Sequence, residues 1–304
     1  MSILVSDYRK CVELSEKVAW HLDDVVPPGS ALDFTRPFMP RAMFFGGDVA
    51  WLGAHELLRL NQIFGNSYAY LFYFVEAYII DMAMKHAAAE LYGDEHTLRA
   101  LLRFAEEEVK HQQLFLRFGA MYQAQSGTEA DLVDSPQAVA AIILAKSPMA
   151  VLLVTLHLEI ITQTHYVDSM REGKGLEPLF VSLFRHHWLE EAQHAKLDVL
   201  ELLKLRRDAS DEQVERAIAD YFAIAEAFAG LLAEQARLDV GSLERAVQRT
   251  FSAEQRGEIE AAQRRSYHRA FLYDGVTNPA FLEFLGEHFP GAVAGAQAAA
   301  KLFA

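Results

Sequence analysis

The segment LFRHHWLEEAQHAKLD (183–198) sets His187, Glu191, His194 and Asp198 at helical intervals, and each of them can bind a metal or move a proton. Those intervals fall on one face of an α-helix. Leu183, Phe184, Trp188, Leu189 and Leu197 lie among them, so part of this helix is buried. Two imidazoles beside a carboxylate suit a metal ion. A solvated charged stripe is the plainer alternative, and Glu-x-x-His alone is too short a pattern to choose between them.

The choice turns on three more segments. Glu76 stands in LFYFVEAYII, Glu108 in FAEEEVKHQQLF and Glu159 in VTLHLEIITQ, each embedded in apolar sequence as Glu191 is. Glu108 and Glu191 are each followed three residues later by a histidine, His111 and His194. A Glu-x-x-His pair shares one side of a helix, so both side chains reach the same ion. Glu76 and Glu159 are 83 positions apart, as are Glu108 and Glu191, and His111 and His194.

Energetics discriminates better than spacing. A lone carboxylate within FYFVEAYII costs several kcal/mol unless it is paired or bound to a metal. No Lys or Arg lies between residues 60 and 84, or between 147 and 170, so Glu76 and Glu159 lack local cations. Two divalent ions would balance four such carboxylates. Carboxylate oxygens with imidazole nitrogens suit iron or manganese, and the single cysteine, Cys11, rules out an all-thiolate site.

With these residues in place, the sequence resembles the ferritin-like di-iron carboxylate proteins over roughly residues 67–200. The resemblance implies that Glu76, Glu108, His111, Glu159, Glu191 and His194 are the ligands of two iron ions, manganese being also allowed. His187 adds to this. The pattern His187-x-x-x-Glu191-x-x-His194 looks like that of the di-iron N-oxygenases that convert arylamines to nitroarenes, which implies a third ligand from the same helix. It further implies O₂ activation, oxygen transfer to a small-molecule amine and an external electron donor. Asp198, one turn beyond His194, is placed to accept that imidazole's other N–H and fix its tautomer. Glu107 and Glu190 occupy the places where related proteins often carry a supporting Asp. A soluble acyl desaturase, a ferritin-like metal-dependent hydrolase and an iron-storage ferroxidase share much of the ligand set. His157 and His165 lie off the Glu159 stripe and read as polar core or pocket residues, and His186 as facing a neighbouring side.

The elements that must position these groups read as helices throughout. Long segments are predicted at about 67–92, 94–124 (capped by Asp94), 148–171 (opened by Pro148) and 177–207. A first helix covers about 5–22, the Pro-rich stretch 23–48 is an irregular connection, and further helices follow 211. The expected fold is an all-α, ferritin-like four-helix bundle with additional N- and C-terminal helices. It is read as one helical domain, 1–304, around a di-iron core at 67–207. The tyrosines and phenylalanines of 68–78 are expected mostly in the core, some lining a substrate cavity.

The chain is 52% hydrophobic and 23% charged, the balance of a globular protein. A formal net charge of −14 disfavours nucleic acid and anionic membranes as partners. MAVLLVTLHLEII (149–161) is too short for a span and holds His157 and Glu159, so it reads as a buried helix. No targeting segment is visible. Together with the lone cysteine, this leads us to expect a cytoplasmic protein, with a homodimer as the assembly to test.

Overall fold

The computed structural model describes residues 3–134 and 136–304. In chain order its α-helices are α1 (Ile3–Val18), α2 (Leu22–Val25), α3 (Ala54–Ala89), α4 (Glu95–Gln125), α5 (Pro136–Leu144) and α6 (Pro148–Thr164). They continue with α7 (Pro178–Arg207), α8 (Asp211–Val247), α9 (Ala253–His268), α10 (Asp274–Val276), α11 (Pro279–His288) and α12 (Ala292–Phe303). No strand occurs among the described residues. The fold is all-α. Its core is a four-helix unit in which α3 packs along α4 and α6 along α7, with α4 meeting α7 across the interior. α1 lies against α4 and α7, and α8 covers α3 and α6.

Local chemistry sets these boundaries. The Asp94 carboxylate accepts the Thr97 backbone N–H at 2.8 Å, satisfying one of the free donors at the start of α4. Pro148 and Pro178 open α6 and α7, where a missing N–H costs nothing. Ser210 and Gln213 cap one another at the start of α8. The helix containing 149–161 is 78% buried over its most apolar stretch, so its hydrophobicity is spent on the core.

Two boundaries differ from the sequence reading. The predicted helix at 67 begins thirteen residues earlier, at Ala54. Asn61 and Gly65 weaken a helix, yet they serve the packing of the irregular connection. The Asn61 side-chain oxygen accepts the N–H groups of Phe38 and Met39, and its amide donates to the Met39 carbonyl. Gly65 faces Phe38 so closely that a Cβ would stand 2.7 Å from that side chain. Tertiary contacts override propensity here. The second difference lies past α6: its last turns widen into a π-helix, His165–Met170, and a second π turn, Arg269–Tyr273, follows α9.

Candidate metal centre

Three helices, α3, α4 and α7, bring six of the seven candidate ligands together. Ligand atoms of Glu108, His111, Glu191 and His194 lie within 4.8 Å of one another, and those of Glu76, His111 and His187 form a second such group. His111 belongs to both groups. The two are therefore adjacent, as a two-metal site requires. Glu191 lies between them: its Oε1 is 2.7 Å from His187 Nε2 and 3.2 Å from His111 Nδ1, and its Oε2 is 3.4 Å from His194 Nδ1. Glu108 Oε1 is 2.8 Å from His194 Nδ1, and Glu76 Oε1 is 3.3 Å from His187 Nε2. Glu159 is buried on α6 but stands outside both groups.

The donor atoms aim at a common centre and not at each other. Both oxygens of Glu76, Glu108 Oε1, Glu191 Oε1 and the Nδ1 atoms of His111 and His194 are buried without a hydrogen-bond partner, and His187 turns its Nε2 towards the same carboxylates. The short separations above thus lack hydrogen-bond geometry. Leaving so many buried polar atoms unpaired would be expensive, and cations at the centre satisfy them together. The set of oxygen and imidazole donors fits a pair of first-row metal ions.

A crossed arrangement holds the two imidazoles. His111 Nε2–H donates to Glu190 on α7 at 2.8 Å, while His194 Nε2–H donates to Glu107 on α4 at 2.9 Å. Each histidine is anchored by the glutamate that precedes the candidate ligand glutamate on the opposite helix. This fixes the tautomer that leaves Nδ1 free for metal. Asp198 was expected in that role for His194, but the longer Glu107 reaches the ring first. Asp198 is instead buried with both oxygens unpartnered, and burial pushes its carboxyl well above the usual range.

Further supports escaped sequence reasoning. Ser15 Oγ donates to Glu107 at 2.5 Å, Gln193 Nε2 to Glu107 at 2.7 Å, and Lys110 Nζ to Glu190 at 2.5 Å. Trp20 stacks on His111 with 6.0 Å between ring centroids, and Lys110 Nζ lies 4.3 Å from the Trp20 ring centroid. None of these carries a sequence signal, because each joins segments distant in the chain or a residue type common on surfaces.

Protonation follows the same geometry. Burial, then the Glu108 charge, raise the Glu76 carboxyl far above its ordinary value. Burial also opposes ionisation of Glu108, but His194 and His111 outweigh it and hold that carboxyl low. Burial disfavours charge on His111 and His194, yet the surrounding carboxylates raise both well above the ordinary histidine value. His187 goes the other way, kept neutral by burial and by the two charged imidazoles. The carboxylates thus favour positive charge at His111 and His194, and metal ions would supply that charge in place of protons.

His157, His186 and His165 lie outside both ligand groups. His157 accepts from Tyr221 at Nδ1 and donates from Nε2 to the Phe271 carbonyl, and His186 Nδ1 lies 2.7 Å from the Ser182 carbonyl. His165 bonds Tyr68 and Asp274. Of the aromatic run, Tyr68, Phe72, Phe74 and Tyr78 are buried. A narrow, almost wholly apolar cavity of about 30 Å³ is lined by Val75 and Tyr78 of α3, Val154 and Leu158 of α6, and Phe271.

No family model and no curated protein sequence matches the chain. A solved structure of an R2-like ligand-binding oxidase variant with an aerobically reconstituted Mn/Fe cofactor is similar at a TM-score of 0.41 and 16% identity. The match covers 84% of this chain and 91% of that one. The chain's own helices and donors define an all-α protein with a buried carboxylate–histidine cluster that could hold metal ions.

Proposed function

We propose that this chain is a non-haem di-iron oxidase that uses O₂ to oxidise a small organic substrate, with electrons from an external donor. The observation that carries the reading is the convergence of unpartnered carboxylate oxygens and imidazole Nδ1 atoms on one buried centre. Bound iron, or manganese beside iron, would supply redox equivalents for O₂ reduction there. Glu76, Glu108, His111, His187, Glu191 and His194 would hold the ions, with Glu159 the remaining carboxylate available from α6. Glu107 and Glu190 keep the two imidazoles oriented, and the apolar shell keeps bulk water away.

The apolar and aromatic wall that α3 sets around Glu76 supports a substrate with a ring or another apolar body. The third imidazole, from His187, favours N-oxygenation of an amine over acyl desaturation. The decisive experiment is anaerobic reconstitution with iron(II), metal analysis, then O₂ exposure with and without arylamines and aliphatic acids. About two irons per chain are expected, with an optical change on O₂ addition that decays faster with an amine. Retention of less than about one iron would overturn the metal reading. Faster decay with acyl substrates alone would favour the desaturase, absence of O₂ consumption the hydrolase, and turnover-free iron uptake beyond two ions the storage protein.

A further inference from the structure

A chain of buried groups outside the metal centre ends in a tyrosine. Tyr68, on α3 and 1% exposed, has its hydroxyl 2.7 Å from His165 Nδ1. His165 Nε2 lies 3.3 Å from Asp274 Oδ2, and Arg269 Nε lies 2.5 Å from Asp274 Oδ1. Asp274 therefore selects the tautomer with a proton on Nε2, which leaves Nδ1 to accept from Tyr68. His165 begins one π-helical turn and Asp274 directly follows the other, so both widened turns serve this relay. From Arg269 and Asp274, which reach solvent, it runs inward to a buried phenol.

On its other side Tyr68 touches the aromatic wall of the centre. Its ring lies 5.1 Å from Phe72, and Phe72 lies 5.2 Å from His187. Phe184 offers a parallel contact, 5.2 Å from Tyr68 and 6.4 Å from His187. Other buried tyrosines lack this combination. Tyr78 and Tyr122 have no acceptor for their hydroxyls, and the histidine partner of Tyr221 is backed by a backbone carbonyl and not by a carboxylate.

We propose that Tyr68 is a redox-active residue, which gives one electron to the oxidised metal centre and its phenolic proton to His165. The inference rests on the di-iron oxidase reading, which supplies the oxidant: the metal centre after oxidation by O₂ without substrate. The Tyr68 O–H bond breaks, the proton moves to His165 Nδ1 and the electron passes through the Phe72 and Phe184 contacts towards His187. A neutral tyrosyl radical remains, facing an imidazolium that Asp274 stabilises. Burial, then the Asp274 charge, push the Tyr68 phenol far above its ordinary value, so it does not lose a proton without also losing the electron. The arrangement drains an oxidising equivalent from a centre that has no substrate to oxidise.

The test is electron paramagnetic resonance of iron-loaded protein, frozen after O₂ addition without substrate, with and without ring-deuterated tyrosine. A tyrosyl signal that narrows on deuteration and is lost in Tyr68→Phe is expected. His165→Gln and Asp274→Asn should lower its yield by at least roughly tenfold, since the proton acceptor is removed or mistuned. Nitrogen NMR of the metal-free protein should show His165 protonated on Nε2, with a shift that moves in Tyr68→Phe. Metal content and the optical change on O₂ addition are recorded on the same samples. No metal oxidation would count against the oxidase reading. Metal oxidation with no tyrosyl signal, or with the same signal in Tyr68→Phe, overturns the role of Tyr68. Should Tyr68→Phe not fold, loss of the signal in His165→Gln supports the relay, and an unchanged signal overturns it.

Discussion

Replacing Glu190 with Gln isolates what the crossed glutamates contribute. The side chain keeps its shape and can still accept from His111 Nε2, now 2.8 Å from a carboxylate oxygen, but the charge is gone. A hydrogen bond to a charged acceptor is worth about 1–2 kcal/mol more than a neutral one. The Glu190 side chain is completely buried, so solvent does not screen the difference. Lys110 loses its partner but is partly exposed and can turn to water. The expected loss of metal affinity is therefore about 10- to 100-fold, in the range known for groups that orient a ligating histidine. Glu107→Gln should weaken binding by a similar factor, because it performs the same task for His194. Competition of each variant with a chromophoric chelator for iron(II) or manganese(II), under anaerobic conditions, measures this directly. In the double variant the two losses should nearly add unless they couple through Glu191. Affinities within about twofold of wild type, alongside lowered melting temperatures, would show that the glutamates only hold the helices together.

His187→Ala should keep most of its iron, since the other ligands remain, yet alter the anaerobic iron(II) spectrum; an identical spectrum would remove His187 from the ligand set. Its ring also packs on Phe72 and Phe115, so a loss of about 1–3 kcal/mol in stability should accompany the spectral change. Away from the centre, burial raises the Asp239 carboxyl from its ordinary value to about 6, although Tyr267, Gln235, Gln263 and Ser67 all donate to it. The unfolded chain ionises first as pH rises, so this group costs nothing below about pH 4 and up to about 3 kcal/mol above pH 6. Asp239→Asn, whose amide can meet the free Gln263 oxygen, should gain stability over wild type across that window in urea unfolding. Parallel pH profiles would refute it.

The sequence by itself determined the helical class and the stripes of ligands. Glu-x-x-His and His-x-x-x-Glu spacings are local: once a segment is helical, its 3.6-residue turn puts those side chains on one face whatever else the chain does. The scarcity of cations near Glu76 was equally legible, because a buried charge must find a partner. Three matters were decided only by the tertiary structure. Whether Glu107 or Asp198 meets His194 depends on the separation of α4 and α7, and the intrahelical position lost to the facing helix. The early start of α3 depends on Phe38 and Met39 folding onto Asn61 and Gly65, a contact that outweighs weak helix propensity. Tyr68, His165 and Asp274 are scattered over two hundred residues, and they meet only because two widened helical turns converge on α3. Periodicity fixes what one helix presents; how far apart the helices stand fixes which of those groups touch.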